Sequence, residues 1–159
     1  IVSDQTEVLW KTFGSQVPSG TSEECHLPRS VLFGQGEWEG CLYFVRSGQL
    51  LVSAVSSLGV PGVLAVVPPG GFVGLSCLCP DVPAITAASA LGGGRVLKVP
   101  ATVMWRMLEA DVELSRAFTG YVVKMHVAIQ ESVAGQFATW MEKVNPPSAG
   151  THFGPGVGE

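Results

Sequence analysis

The residues with the clearest chemical potential lie in segment 70–90, which reads GGFVGLSCLCPDVPAITAASA. Its three glycines allow tight turns and close backbone approach, so neighbouring amides could meet a bound anion. Ser76 and Thr86 add two hydroxyl donors. Burying an anion without a cation or several donors is costly, and Asp81 is the single charged residue of the segment. The pattern therefore indicates the backbone of an anion site without the charge that would neutralise the anion.

The cysteines and histidines do not form a recognisable reactive set. Cys77 and Cys79 make a C-x-C, which in an extended segment would place both thiols on one face, as part of a soft-metal site requires. No second ligand pair with suitable spacing follows, and the three histidines are far apart in the sequence. We therefore expect no metal site, no catalytic residues, no cofactor and no enzymatic activity, and we interpret the four cysteines as reduced thiols of a cytoplasmic protein or of a cytoplasmic domain of a larger protein.

Composition bounds the fold and excludes two classes of partner. With 159 residues, 47% of them hydrophobic, the chain can bury one substantial core. The net charge is −4 and the nine Lys and Arg residues are scattered, which argues against a nucleic-acid surface. The longest apolar stretch, 58–69, contains Gly and Pro and is shorter than the roughly 20 residues of a membrane-spanning helix, so we expect no membrane insertion by this segment.

Short apolar runs separated by glycine and proline dominate the middle of the chain. A short amphipathic helix is predicted for residues 4–13. Between residues 23 and 99 the runs are SVLF, CLYFV, QLLVSAV, VLAVV, ITAASA and RVLKV. Several short strands at this spacing are typical of an all-β sandwich or barrel.

After Pro100 the apolar period becomes helical. A short helix is predicted to about Asp111, and apolar residues from Leu114 to Met141 then recur every three or four positions, which predicts a long amphipathic helix of about seven turns. The tail is rich in Pro and Gly and is expected to be disordered. The predicted organisation is an N-terminal helix and linker (1–22), a β-roll (23–100), C-terminal helices (101–144) and a disordered tail (145–159).

The segment VLFGQGEWEGCLYFVRSG at positions 31–48, together with this order of elements, resembles the cyclic-nucleotide-binding domain family over roughly residues 5–140. Gly36 and Glu37 are similar to a Gly-Asp turn of the family, and Gly48 to the glycine that opens its next strand. The resemblance implies a mainly β fold with flanking helices, namely a double-stranded β-helix, or jelly roll, of eight antiparallel strands.

The resemblance also implies where a ligand would bind. In ligand-binding members, a glycine-led turn presents a Glu to the ribose hydroxyl, amides of a short helix meet the phosphate, and a downstream Arg neutralises its charge. Gly74 matches that glycine, whereas Leu75 stands at the Glu position and Ala84, or Ile85 under a one-residue shift, stands at the Arg position. The resemblance thus implies a degenerate ligand pocket made of Gly74, Leu75, Ser76, Ala84, Ile85 and Thr86.

The two missing charged residues predict that cyclic AMP and cyclic GMP do not bind in the family's usual way. A charged hydrogen bond contributes roughly 1.5–3 kcal/mol, so losing both partners would weaken binding by a factor on the order of 10²–10⁴. No Lys or Arg occurs between Arg46 and Arg95, which leaves those two as candidate replacements. Leu75, Ala84 and Ile85 are interpreted as ordinary barrel packing, while a weak or neutral ligand held by backbone amides, Ser76 and Thr86 stays open.

These observations favour a non-enzymatic regulatory or protein-interaction module that docks on a protein partner or self-associates through its last helix. The alternatives are a sensor that binds a cyclic nucleotide or another small molecule in a different way, and a cytoplasmic regulatory domain of a membrane transporter or channel. The residues predicted to form the helix interface are Phe118, Val122, Met125, Ile129, Val133 and Phe137.

Overall fold

Two four-stranded antiparallel sheets form the body of the computed structural model, which describes residues 4–144. The strands are β1 (Ser22–His26), β2 (Val31–Phe33), β3 (Cys41–Ser47), β4 (Leu50–Val55), β5 (Pro61–Val67), β6 (Phe72–Val73), β7 (Ala87–Ala90) and β8 (Gly94–Pro100). One sheet has the order β1-β8-β3-β6 and the other β2-β7-β4-β5. The mainly β jelly roll predicted from the sequence is confirmed.

Helices flank the roll at both ends of the described chain. α1 spans Asp4–Leu9 and continues as a π-helical turn, Trp10–Gly14. α2 spans Ala101–Ala110 and α3 spans Val112–Val144, while a 3₁₀ helix, Leu75–Leu78, follows β6. The expected disorder of segment 145–159 lies outside the described residues.

Strand β3 supplies side chains to two separate cores. Leu42 and Phe44 pack against the helices, whereas Tyr43 and Val45 point into the interior of the roll. Successive side chains of a strand point to opposite faces, so a strand covered on both faces must be apolar throughout. The continuous apolar run CLYFV is explained by this double burial.

An aromatic cluster fixes the short strand β6. The ring centroid of Phe72 lies 5.3 Å from that of Phe13, 5.1 Å from that of Phe44 and 5.2 Å from that of Phe118. All three pairs are edge-to-face, an arrangement that contributes roughly 0.5–1.5 kcal/mol beyond area burial. Phe72 therefore connects the π-helical turn after α1, strand β3 and helix α3 to the start of segment 74–86, the candidate phosphate-binding segment or cassette.

Local signals set the start and the docking of α3. Oδ1 of Asp111 accepts a hydrogen bond from the Leu114 N–H at 3.1 Å, which satisfies one of the unpaired amides of the first turn. Gly120 faces α1 so closely that a Cβ there would collide with the Gln5 side chain. A glycine costs a helix about 1 kcal/mol relative to alanine, and here the close approach of α1 offsets that cost.

Candidate functional site

Gly74 opens the candidate cassette in a conformation that favours glycine. Its φ is +84°, and a Cβ added to it would lie 3.1 Å from the Cys41 carbonyl oxygen. The Cys77 N–H donates to the Gly74 carbonyl at 3.1 Å, which begins the 3₁₀ helix. Both the left-handed backbone and the close approach to β3 explain why a glycine stands at this position.

A cavity of about 210 Å³ lies between the cassette, the second sheet and α3. The cassette contributes Gly74, Leu75, Ser76, Ile85 and Thr86 to its wall. Strand residues including Phe33, Val52 and Ala65 form a second wall, and Met125 and Ile129 of α3 close a third. Among the described residues, no charged side chain lines this cavity. Its surface suits an apolar ligand better than an anion.

The two residues predicted for the Arg position, Ala84 and Ile85, have different surroundings. Ile85 lines the cavity, with 69% of its surface exposed. Ala84 is only 3% exposed and packs inside the roll. Its N–H donates to the Glu37 carbonyl at 2.8 Å, and its carbonyl accepts from the Gly36 N–H at 2.6 Å. Five of the six residues predicted for the pocket thus line the cavity, and Ala84 is the exception because this backbone pairing holds it in the core.

Neither candidate replacement for the Arg reaches the cavity. Arg46 donates from Nε to the Phe13 carbonyl at 2.9 Å, from another guanidinium nitrogen to Glu23 at 2.6 Å, and also to the Gln16 carbonyl. Arg95 lies 3.7 Å from the other carboxylate oxygen of Glu23. Glu23 is on β1, and β1 and β6 form opposite edges of their sheet. Both guanidinium groups therefore lie towards the β1 edge of the sheet, and the cassette follows the opposite edge strand, β6.

A second, larger groove of about 540 Å³ runs between β5 and α3. It shares Ala65, Met125 and Ile129 with the cassette cavity, so the two spaces adjoin. Lys124 is the one charged residue among the described residues that line it. Sequence reasoning missed this groove, although Lys124 directly precedes Met125 in the helical apolar pattern.

Helix α3 divides the predicted interface into two parts. Phe118 is 5% exposed and packs on Phe72, so it belongs to the intramolecular core rather than to a free surface. Val122, Met125 and Ile129 also face the body of the chain. Val133 and Phe137 are exposed, as are all residues of 130–144 except the half-buried Ser132. Of the six residues predicted for the interface, the two that are open to a partner therefore lie in the last part of the helix.

The two cassette thiols do not share a face. Cys77 is buried in the core beside the helices, and burial raises its pKa to about 12. Cys79 is exposed, since the chain leaves the 3₁₀ helix between them. Within the part of the chain that the structure describes, no group of three or more His, Cys, Asp or Glu residues could hold a metal ion.

Comparisons with known proteins agree with this architecture. The family profile described as "Cyclic nucleotide-binding domain" matches residues 25–111, more than half of the chain. A comparison with curated protein sequences finds no match. Across residues 4–144, no helix combines the length and the hydropathy needed to cross a membrane.

Similar solved structures include two bacterial regulators and one smaller protein. Catabolite Activator Protein from Thermus thermophilus has 15% identity and a TM-score of 0.64, and the match covers 89% of this chain and 62% of that one. The c-di-GMP responsive global regulator CLP from Xanthomonas campestris has 17% identity and a TM-score of 0.65, with 73% and 59% covered. A cyclic nucleotide-binding-like protein from Brucella abortus has 21% identity and a TM-score of 0.52, with 67% and 99% covered. The chain thus matches about three fifths of the length of the two regulators.

Proposed function

Because the chain belongs to the cyclic nucleotide-binding domain family, we propose that it is a non-enzymatic regulatory module that does not bind cyclic AMP or cyclic GMP in the family's usual way. It acts through protein contacts made by the end of α3. Its fold is shared with bacterial regulators. Because the sequence identity to them is low, this similarity supports the fold and says nothing about a ligand.

The observation that carries this proposal is the uncharged cassette cavity. Leu75 and Ile85 line this cavity, and the resemblance implies a Glu at the first position and, under a one-residue shift, an Arg at the second. Arg46 is held elsewhere by Glu23 and two carbonyls. A cyclic phosphate would lose its hydration there without gaining a cation. Two missing charged hydrogen bonds correspond to a loss of roughly 10²–10⁴ in affinity, which moves micromolar binding towards the millimolar range.

A titration with cyclic AMP and with cyclic GMP tests this part of the proposal. Backbone amide shifts are followed across segment 74–86, with the amides of β1 at the opposite sheet edge as an internal control. We expect no saturable shift in the cassette at millimolar nucleotide. Saturation at micromolar concentration, confined to the cassette, would contradict the proposal.

The end of α3 supports a role in self-association. Residues 130–144 leave the roll as about four helical turns, and an isolated helix of that length is marginal in water. Val133, Phe137, Trp140 and Val144 are all exposed and follow a 4-3-4 spacing, the pattern of a seam between two helices. We therefore infer that a second copy of this chain covers the stripe.

A ligand sensor is the second candidate function. It is favoured by the position of the cavity, because Met125 and Ile129 of α3 form one of its walls. A ligand there would contact the helix that carries the proposed interface. For both candidate functions we propose a location in the cytoplasm. The chain would act there as a single unit or as the regulatory part of a longer protein such as a transporter or channel.

A further inference from the structure

The cassette cavity and the groove are neighbouring apolar spaces that share part of their wall. Ala65 of β5 and Met125 and Ile129 of α3 line both parts. The separate volumes are about 210 and 540 Å³, and ligand sites in proteins commonly measure roughly 300–1,000 Å³. An elongated ligand that used both spaces would pass between Ala65 of β5 and Met125 and Ile129 of α3.

A charged side chain lines only one of the two spaces among the described residues. Lys124 lines the groove, and the cassette end has no charged lining among the described residues. Lys124 is exposed and makes no ion pair within residues 4–144. An anionic head group beside Lys124 would stay hydrated, whereas an anion in the cassette would not.

We propose that the two spaces open into each other beside Ala65 and together bind an elongated apolar monoanion of the medium-chain fatty acid class, with its hydrocarbon tail in the cassette cavity and its carboxylate beside Lys124. The inference rests on the proposed loss of cyclic-nucleotide binding, because the hydrocarbon tail of the acid would occupy the cavity that a nucleotide needs.

Such a ligand would contact both the cassette and helix α3. Its chain would contact Leu75 and Ile85 of the cassette on one side and Met125 and Ile129 of α3 on the other. A bound ligand would therefore change the position or the rigidity of the part of α3 that precedes the exposed stripe.

The test is a titration of the full chain with octanoate, decanoate and dodecanoate below their micelle concentrations, following backbone amides. We expect saturable shifts that include Ala65, Gly74 and Met125, and an affinity that rises about fourfold per added methylene, equivalent to about 0.8 kcal/mol. Lys124→Gln should weaken decanoate about two- to fivefold and leave 1-decanol unchanged, as expected for an exposed charge pair. Lys143→Gln, which removes an exposed lysine farther along α3, is the matched control and should change neither ligand.

A variant that blocks the shared wall tests the path of the hydrocarbon. Ala65→Leu should weaken all three acids at least tenfold while the amide spectrum of β1 and β8 stays native. If Ala65→Leu alters the amide spectrum outside the groove, Ala128→Leu is used instead, because Ala128 is an exposed residue of the groove wall. No saturable shift with any acid, an affinity independent of chain length, or an unchanged decanoate affinity in Lys124→Gln would each overturn the inference.

The same preparation separates this inference from the proposed function. Cyclic AMP saturating the cassette would refute the proposed loss of nucleotide binding, and with it the basis of the fatty-acid site. Fatty acids failing to bind while cyclic AMP also fails would refute only the ligand class.

Discussion

The hydroxyl group of Tyr121 binds both backbone groups of Phe72. It accepts a hydrogen bond from the Phe72 N–H at 2.8 Å and donates one to the Phe72 carbonyl oxygen at 3.2 Å. Phe72 starts the two-residue strand β6 at the edge of its sheet, two positions before Gly74. One side chain of α3 thus replaces the ladder partner that an edge strand lacks, and it fixes the helix and the entrance of the cassette relative to each other.

Removing this hydroxyl group should weaken the fold. Tyr121→Phe leaves the Phe72 amide and carbonyl without a partner in a buried residue, which costs about 1–3 kcal/mol. Urea denaturation should show that loss in the free energy of unfolding, and hydrogen exchange should accelerate first at Phe72.

Tyr43→Phe provides the matched control for this substitution. Tyr43 is nearly as buried as Phe72, but its hydroxyl makes no hydrogen bond within the described residues. We expect its loss to change stability by less than about 0.5 kcal/mol. Equal effects of the two substitutions would show that the Tyr121 contact to Phe72 contributes nothing specific.

Thiol reactivity should divide the four cysteines into distinct classes. Burial raises the pKa of Cys77 to about 12 and also raises that of Cys41, whereas Cys25 and Cys79 are exposed. The thiolate is the reactive form, so iodoacetamide at pH 8 should label Cys25 and Cys79 first and Cys77 last. Mass spectrometry of digested, time-resolved samples gives the order. Labelling of Cys77 as fast as Cys79 in the native protein would contradict its burial.

The same pKa shift predicts how stability depends on pH. An unfolded thiol loses its proton near pH 8.5–9, whereas Cys77 in the folded chain keeps it to about pH 12. The stabilising contribution is therefore complete below about pH 8.5 and is lost as pH rises towards 12. Urea denaturation between pH 7 and 10 should show this decline in wild type and a smaller decline in Cys77→Ala, compared at each pH with the variant's own value at pH 7.

Periodicity was sufficient to predict the elements that have a continuous apolar pattern. The runs assigned to β3 and β8 and the long helix α3 follow from spacing alone. Strand β1, with the sequence SEECH, carries mostly exposed side chains at a sheet edge and has no apolar signal. Strand β6 has only two residues, and its conformation depends on Tyr121 and on aromatic rings far away in the chain. Such elements are set by tertiary contacts and leave little local trace.

The candidate site shows the same limit. Gly74 was predicted from the resemblance alone, and the structure adds the physical reason for a glycine there, namely a left-handed backbone and a close approach to β3. Spacing could not predict that Ile85 rather than Ala84 lines the cavity, because this depends on backbone hydrogen bonds from Ala84 to Gly36 and Glu37. The Lys124 groove was missed because β5 and α3 form it only after they pack together.

Restoring the missing charges should create a cyclic-nucleotide site. Leu75→Glu combined with Ile85→Arg places a carboxylate and a guanidinium in the wall of the cassette cavity. We expect the affinity for cyclic AMP to rise by a factor on the order of 10²–10⁴ over wild type, measured by calorimetry. The cavity of about 210 Å³ is small, so a third substitution, Ile129→Ala, should improve binding further by opening its helical wall.

The register of the Arg is tested by moving it one residue. Leu75→Glu combined with Ala84→Arg carries the same two charges, but it forces a guanidinium into the roll interior, where Ala84 is 3% exposed. That variant should lose stability and gain no nucleotide affinity. Equal affinity gains in the two designs would mean that the cavity does not select position 85.

The exposed stripe of α3 should control the oligomeric state. Val133 and Phe137 lie outside the core, so Val133→Glu combined with Phe137→Glu should abolish self-association while the thermal unfolding of the roll stays unchanged. Two like charges in a helix seam repel each other and prevent burial of the apolar stripe. Ala138→Glu is the matched control, because it adds a charge to the exposed helix surface away from the stripe. Successive residues of an α-helix are about 100° apart, so position 138 lies roughly 130° from the centre of the stripe. Light scattering coupled to size exclusion should give a dimer mass for wild type and for Ala138→Glu and a monomer mass for the double variant. A monomeric wild type across the concentration range would show that a second copy does not cover this helix.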